Sequence, residues 1–191
     1  MRPRAASTSE DGVLDGWVPP LGFAAEIDPK GNTRLVISTP SDRLADVHLA
    51  VFGALEAPIG VLWRRVIDRA DPKPNGSPPL DFVGLDLPAE RVVAALQASG
   101  GLVWEDARGE LWLRGARGEQ VVLDADGVMY AYPDDPAFRD ALASVGVAET
   151  TQLSTVAQRN YVQQWYHAEC DAEEAALVAS LGLLAMPVRH K

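Results

Sequence analysis

Turn residues recur at regular intervals between residues 102 and 132, and this spacing constrains the fold more than any other feature of the sequence. Gly109, Gly118 and Gly127 each follow a charged residue and stand between two short apolar segments. Glycine adopts the backbone angles of tight hairpin turns without strain, and strands that such turns join pair antiparallel. We therefore predict a four-stranded antiparallel meander with the strands LVWEDA, ELWLRGA, EQVVLDA and VMYAY.

Other segments add strands and helices to this meander. Pro29–Asn32 is a turn sequence that joins FAAEID to TRLVIST as a hairpin, and IGVLWRRVI has the β-branched, apolar character of a buried strand. Apolar residues at spacings of three and four, with capping residues before them, indicate helices. Helices are predicted over about residues 42–56, 88–98, 136–145 and 155–182.

Together these elements predict a single α+β domain with a mostly antiparallel sheet of six or seven strands and three or four helices on one face. A hairpin followed by a proline and a capped helix occurs twice, in EIDPKGNTRLVISTPSDRLAD and in VVLDADGVMYAYPDDPAFRD. This repetition indicates either a duplicated ββα unit or ordinary turn chemistry that recurs. Residues 1–16 lack periodicity and predict a flexible N-terminal segment, residues 17–186 form the domain, and residues 187–191 form a flexible C-terminus.

Composition argues against several classes of function. The net charge of −10 and the lack of a basic stripe disfavour binding to nucleic acid. Cys170 is the single cysteine among 191 residues, so the chain has no intramolecular disulfide and no site with several thiolates. No apolar run reaches the roughly 18 residues of a membrane span, and the start lacks the apolar segment of a secretory signal. We expect a cytoplasmic protein that does not bind membranes.

The histidines and the cysteine have structural and chemical interpretations. His48 lies on the apolar stripe of the first predicted helix, where it either fills a core position or acts in catalysis. His167 and Asp171 have the helical spacing of a metal pair, and Cys170 could act as a nucleophile beside His167, but a third partner is missing in both cases. The chain lacks the common hydrolase, phosphate-loop and dinucleotide motifs. We therefore assign no catalytic, cofactor-binding or metal-binding residue.

Aromatic residues and a proline-rich loop supply the candidates for binding. Trp112 alternates with Leu111 and Leu113 on a predicted strand, so either the tryptophan or the leucine pair faces away from the main core. An outward aromatic residue on a sheet often anchors a partner, whereas a second covering helix would make it a core residue. The candidate residues for contact with a peptide or protein are Trp112, Tyr130, Tyr132, Pro74, Pro78 and Trp165.

We interpret the sequence as a non-catalytic peptide- or protein-binding module that recognises an extended peptide, such as a precursor peptide, at a sheet edge. Main-chain hydrogen bonds would supply affinity, and aromatic residues with the 71–81 loop would select side chains. Two alternatives stay open. One is an immunity- or antitoxin-like protein that inhibits a partner, and the other is an enzyme of unfamiliar type that uses His48 or His167. No cofactor is expected, and the chain could form a homodimer.

Overall fold

A computed structural model describes residues 1–68, 79–163 and 167–187, and antiparallel strands dominate it. In chain order the strands are β1 (Ala5–Ser7), β2 (Gly22–Ile27), β3 (Thr33–Ser38), β4 (Ile59–Arg65), β5 (Leu80–Leu87), β6 (Gly109–Arg114), β7 (Gln120–Leu123), β8 (Met129–Tyr132), β9 (Tyr161–Gln163) and β10 (Leu184–Pro187). Eight of them form one sheet in the order β10-β5-β4-β6-β7-β8-β3-β2. β1 and β9 pair separately as a two-stranded sheet.

Five α-helices pack against one face of the main sheet. They are α1 (Leu44–Phe52), α2 (Ala89–Ala98), α3 (Gly100–Trp104), α4 (Pro136–Ser144) and α5 (Cys170–Leu181). Apolar residues of all five helices form a single buried cluster with alternate residues of the strands. The predicted α+β class and antiparallel sheet are confirmed. Among the residues that the structure describes, no helix has the length and apolar character needed to cross a bilayer.

Side-chain alternation along the strands divides the main sheet into two faces. On β4 and β6, Trp63, Leu111 and Leu113 face the helices and have no exposed surface. Burying each such side chain contributes about 1.5–3 kcal/mol, so this face provides much of the driving force for folding. The residues between them, including Leu62 and Trp112, lie on the opposite face, which we call the open face.

The two hairpin–helix units predicted from the sequence are both present. β2 and β3 precede α1, and β7 and β8 precede α4. The two turns share the same chemistry, with Asp28 and Gly31 in the first and Asp124 and Gly127 in the second. The Oδ1 atom of each aspartate accepts hydrogen bonds from the backbone N–H groups two and four residues later. Each glycine, three residues after the aspartate, has a positive φ. The units meet where β3 pairs antiparallel with β8 and α1 packs on α4.

The first strand of the predicted meander is wrong, because residues 100–104 form α3. The Leu102 N–H donates to Glu173 Oε2 of α5 at 2.7 Å, which supplies an acceptor for the start of this short helix. A Cβ atom at Gly101 would lie 2.8 Å from Glu173 Oε1, so any other residue here would require the Glu173 carboxylate to shift. The meander therefore has three strands, β6, β7 and β8.

The predicted final helix is wrong over most of its first half, of which residues 164–166 lie outside the described residues. Residues 156–158 form a 3₁₀ turn, β9 follows, and α5 begins only at Cys170. β9 is extended because it pairs with β1, and because Tyr161 Oη and Gln163 Nε2 both donate to the carboxylate of Asp126. β5 and β10 were not predicted either, and they complete one end of the main sheet.

The first sixteen residues contain a strand and a buried arginine, which differs from the predicted flexible segment. The side chain of Arg4 is 2% exposed and donates hydrogen bonds to the backbone carbonyls of Val103, Gly109 and Ala125. Burial lowers the pKa of Arg4 to about 10, and nearby carboxylates partly oppose this shift. The predicted C-terminal segment 187–191 lies outside the described residues except for Pro187, which ends β10.

Gly109 and Gly60 allow a test of the packing between β4 and β6. A Cβ atom at Gly109 would lie 2.6 Å from Trp63 Cζ2 and 2.7 Å from the Arg64 carbonyl oxygen, whereas one at Gly60 would have no neighbour closer than 3.7 Å. We expect Gly109→Ala to lower the free energy of unfolding by about 1–3 kcal/mol through overpacking, and Gly60→Ala to change it by less than about 0.5 kcal/mol. Urea denaturation of both variants measures the difference, and equal effects would contradict the packing described.

Candidate functional site

A row of apolar and aromatic side chains crosses four successive strands on the open face. Leu62, Trp112, Val122 and Tyr130 are successive partners across β4, β6, β7 and β8. Val36 of β3 continues the row beyond Tyr130. Strand register thus brings Trp112 and Tyr130 to one surface, with Val122 of β7 between them.

Trp112 takes the outward of the two orientations that the sequence left open. Its side chain is 37% exposed, and its indole Nε1 donates to Glu110 Oε2 at 3.2 Å. The guanidinium of Arg64 lies 5.9 Å from the centre of its ring, within the range of a cation–π interaction. Both polar neighbours hold the ring on the sheet surface, where a partner can reach it.

Arg34 organises the tyrosine pair of β8. Its guanidinium lies 4.4 Å from the ring centre of Tyr130 and 5.7 Å from that of Tyr132. Nη1 of Arg34 donates to the Tyr132 hydroxyl at 2.7 Å, and Nε donates to Glu26 Oε1 at 2.7 Å. Burial raises the pKa of Tyr130, so this hydroxyl stays protonated at neutral pH. Tyr130 is therefore a neutral contact beside a cation, not an acid or a nucleophile.

A depression of about 460 Å³ separates Trp112 from Tyr132 at the end of the sheet that carries the β2–β3 turn. Gln120 lies between them and pairs with Tyr132. The Asp28 carboxylate in its wall already accepts three hydrogen bonds from the turn. Lys30, also in the wall, forms no ion pair with the described residues. The depression is thus a shallow polar surface without a group of acids and bases that could act together.

Three of the sequence-predicted candidates lie outside the described residues. They are Pro74, Pro78 and Trp165. From the predicted set, the structure places Trp112, Tyr130 and Tyr132 on one face of the sheet, with β7 between the tryptophan and the two tyrosines. Their role in binding stays a prediction.

β2 forms one edge of the main sheet and is only partly paired on its outer side. The Phe23 N–H donates to the Ala148 carbonyl at 3.1 Å, and the Phe23 carbonyl accepts from the Thr150 N–H at 2.8 Å. Because backbone groups alternate along a strand, those of Ala25 and Ile27 point to the same outer side. No described residue pairs with them there. We call this unpaired stretch the β2 edge.

The opposite edge of the sheet offers less backbone for pairing. β10 is four residues long and ends at Pro187, which has no N–H to donate. Short strands and proline are common means of preventing pairing at a sheet edge. Of the two edges, the β2 edge is therefore the better template for an added strand.

His48 is a core residue in the structure. Its side chain has no exposed surface, and its Nδ1 accepts a hydrogen bond from Trp104 Nε1 at 3.1 Å. The neutral ring then carries its proton on Nε2, which has no partner among the described residues. Burial, with a smaller effect of the charge on Arg4, lowers the pKa of His48 to about 3. Substrate could not reach this imidazole in the conformation described.

The residues around His167 are held by arginines. Arg2 Nη1 lies 2.9 Å from His167 Nδ1 and its Nη2 donates to Glu169, while Arg108 pairs with Asp171 at 2.7 Å. Cys170 is buried, and burial raises the pKa of its thiol to about 12. In the described ranges, no three His, Cys, Asp or Glu residues are grouped so that they could hold a metal ion.

Sequence reasoning missed Arg34 and the β2 edge. Arg34 stands two residues before Val36 in TRLVIST and so shares its face, which would have indicated an outward cation on β3. Its tyrosine neighbours depend on the pairing of β3 with β8, which joins segments almost 100 residues apart. The edge position of β2 likewise depends on the strand order.

Within the described residues, the fold and these surfaces define an α+β protein whose helices pack on one sheet face and whose β2 edge is only partly paired. Comparisons with models of protein families, with curated proteins and with solved structures found no match to this chain. Its function must therefore be argued from its own residues.

The buried imidazole of His48 gives a prediction about stability and pH. The unfolded state binds a proton near pH 6.5 and the folded state only near pH 3, so the free energy of unfolding falls as pH is lowered between these values. His48→Gln keeps an acceptor for Trp104 but does not titrate. We expect the wild type to lose about 3 kcal/mol more than this variant between pH 7 and pH 4. Urea denaturation at both pH values tests this, and parallel losses would contradict it.

Proposed function

We propose that the chain is a non-catalytic peptide-binding module that adds an extended segment of a partner protein to the β2 edge. The proposal rests on Ala25 and Ile27, which follow Phe23 on β2 and whose outward backbone groups pair with no residue that the structure describes. An added strand gains main-chain hydrogen bonds from each such residue. The backbone of Phe23 already forms such hydrogen bonds with residues 148 and 150. The outer side of β2 therefore has the geometry that strand pairing requires.

The side chains beside the β2 edge define the chemistry of the segment. Ile27 is 71% exposed and lies on the helix side of the sheet plane, where an apolar side chain of the segment would cover it. Glu26 lies on the open-face side and is half exposed, where a basic side chain would meet it. The net charge of −10 also attracts a basic partner over distance. The segment would therefore alternate apolar and basic residues.

Distance decides which aromatic residues belong to this site. Neighbouring strands in a sheet are about 4.8 Å apart. Tyr132 is on β8, which is two strands away from β2 and therefore about 10 Å from it. A long side chain of the added segment could extend toward Arg34 and Tyr132. Trp112 is on β6, which is four strands away from β2 and therefore about 19 Å from it, so the added segment cannot reach this tryptophan. The peptide site thus uses the tyrosine pair and leaves Trp112 for another contact.

Replacing Ala25 tests the backbone pairing. Ala25→Pro removes the outward N–H but no hydrogen bond to β3, and proline is tolerated at such edge positions. Ala25→Gly is the matched control because it keeps the N–H. Peptides selected from a displayed random library against the full chain serve as probes, with affinity measured by calorimetry. We expect the proline variant to bind at least about tenfold more weakly and the glycine variant within about twofold. Equal binding by Ala25→Pro and the wild type would refute pairing at this edge.

Two further measurements define the mode of binding. Methylating alternate backbone nitrogens of a selected peptide should abolish binding for one set of positions and spare the other, because only one set faces β2. Glu26→Lys should shift selection from basic toward acidic peptides. Insensitivity to both changes would show that the peptides bind elsewhere.

A further inference from the structure

The open face carries a second surface that the peptide site does not use. Four exposed apolar side chains lie on neighbouring strands at the end of the sheet opposite to β2: Leu85 at 71%, Trp112 at 37%, Leu184 at 72% and Met186 at 54% exposure. Leu62 and Val83 lie between them, because strand register joins Trp112 to Leu62, Leu62 to Val83 and Val83 to Leu184. We call these six residues the open-face patch. Exposed apolar clusters of this kind mark sites of protein association.

The charges around the open-face patch cancel. Arg64 forms an ion pair with Asp81 at 2.8 Å, while Glu110 and Arg114 stand two residues before and two residues after Trp112 on β6. Arg114 is exposed and forms no ion pair with the described residues. These four residues sum to zero, whereas the whole chain carries −10. Two copies of this chain that meet at this surface would therefore gain no net repulsion from these four residues.

We propose that the open-face patch binds the same patch of a second copy of this chain, so that the two sheets pack face to face in a symmetric dimer. The placement of charge on β6 selects this occupant. The two-fold axis would lie between the two sheets, perpendicular to the strands and level with Trp112. The β6 strands of the two copies then run in opposite directions. Arg114 of each copy then faces Glu110 of the other, and the two Trp112 rings meet at the axis. Sheets pack in this way with nearly aligned strands about 10 Å apart.

The rest of the open face limits the contact to this end of the sheet. At the other end, residues 150–154 lie over the corner of β2 and β3, since a Cβ atom at Gly22 would be 3.3 Å from Thr150 Cγ2 and Ser38 Oγ donates to the Ser154 carbonyl. A second sheet cannot approach there. The dimer therefore covers β10, β5, β4 and β6 and leaves both β2 edges free. The inference does not depend on the proposed peptide site.

Charge reversal on β6 gives the sharpest test. Arg114→Glu would set two carboxylates against each other across the interface, and Glu110→Arg would set two guanidinium groups against each other, so each variant alone should be monomeric. When the two variants are mixed, one copy of each can pair without any like charges facing each other, because the two acidic side chains of one copy face the two basic side chains of the other. We expect sedimentation velocity to show a dimer for the wild type, monomers for each variant, and a mixed dimer when the two are combined. A fluorescent label on one variant identifies the mixed species.

Controls separate this result from misfolding and from other surfaces. Leu184→Glu should also give a monomer, whereas Val13→Glu, which alters an exposed apolar residue away from the patch, should stay dimeric. Circular dichroism checks that all variants are folded. The proposal is overturned if the wild type is monomeric at high micromolar concentration, if Leu184→Glu stays dimeric, or if the two charge variants fail to combine. Peptide binding by a monomeric wild type would uphold the peptide site and refute the dimer.

Discussion

The main sheet buries most of one face against the helices, and this constraint determines where much of the rest of the molecule lies. Alternation places each apolar residue of the inner face between two residues of the open face, so neither set can move without the other. Trp63 shows the strength of the constraint. Its ring is fully buried, and its Nε1 donates to Glu174 Oε1 of α5 at 2.8 Å. With the helices fixed on one side, the open face must satisfy its own polar groups through pairs such as Arg64 with Asp81 and Arg34 with Glu26.

The N-terminal segment belongs to this arrangement through Arg4. Its guanidinium lies between α3 and the start of β6. There it donates hydrogen bonds to the backbone carbonyls of Val103, near the end of α3, and of Gly109, the first residue of β6. A buried cation is tolerated when its donors are satisfied, and Asp106 and Asp124 add favourable charge nearby. Arg4 thereby connects β1 to the main sheet. A short strand that pairs only with β9 would otherwise have little to hold it.

Local signals explain which parts of the fold could be predicted from the sequence. The turn aspartates 28 and 124 and the cap Asp135, which accepts from the Ala137 N–H at 2.8 Å, act within four residues, so their sequence neighbourhood contains the whole interaction. α3 depends on Glu173 and β9 depends on β1, and these partners are distant in sequence. β10 exists as a strand only because β5 lies beside it. The prediction of the site was limited for the same reason. The distance between Trp112 and the β2 edge depends on the strand order, which local sequence does not reveal.

The two edges of the sheet differ in a way that bears on selectivity. β10 is short and ends in proline, whereas β2 is covered at Phe23 and open at Ala25 and Ile27. Two open residues provide about four hydrogen-bonding groups, and each hydrogen bond contributes only about 0.5–1.5 kcal/mol net. Backbone pairing alone would therefore give weak binding that does not discriminate among sequences. Under the proposed function, selectivity at this edge would come from the side chains of Ile27 and Glu26, which lie on opposite sides of the strand and would contact alternate positions of the added segment.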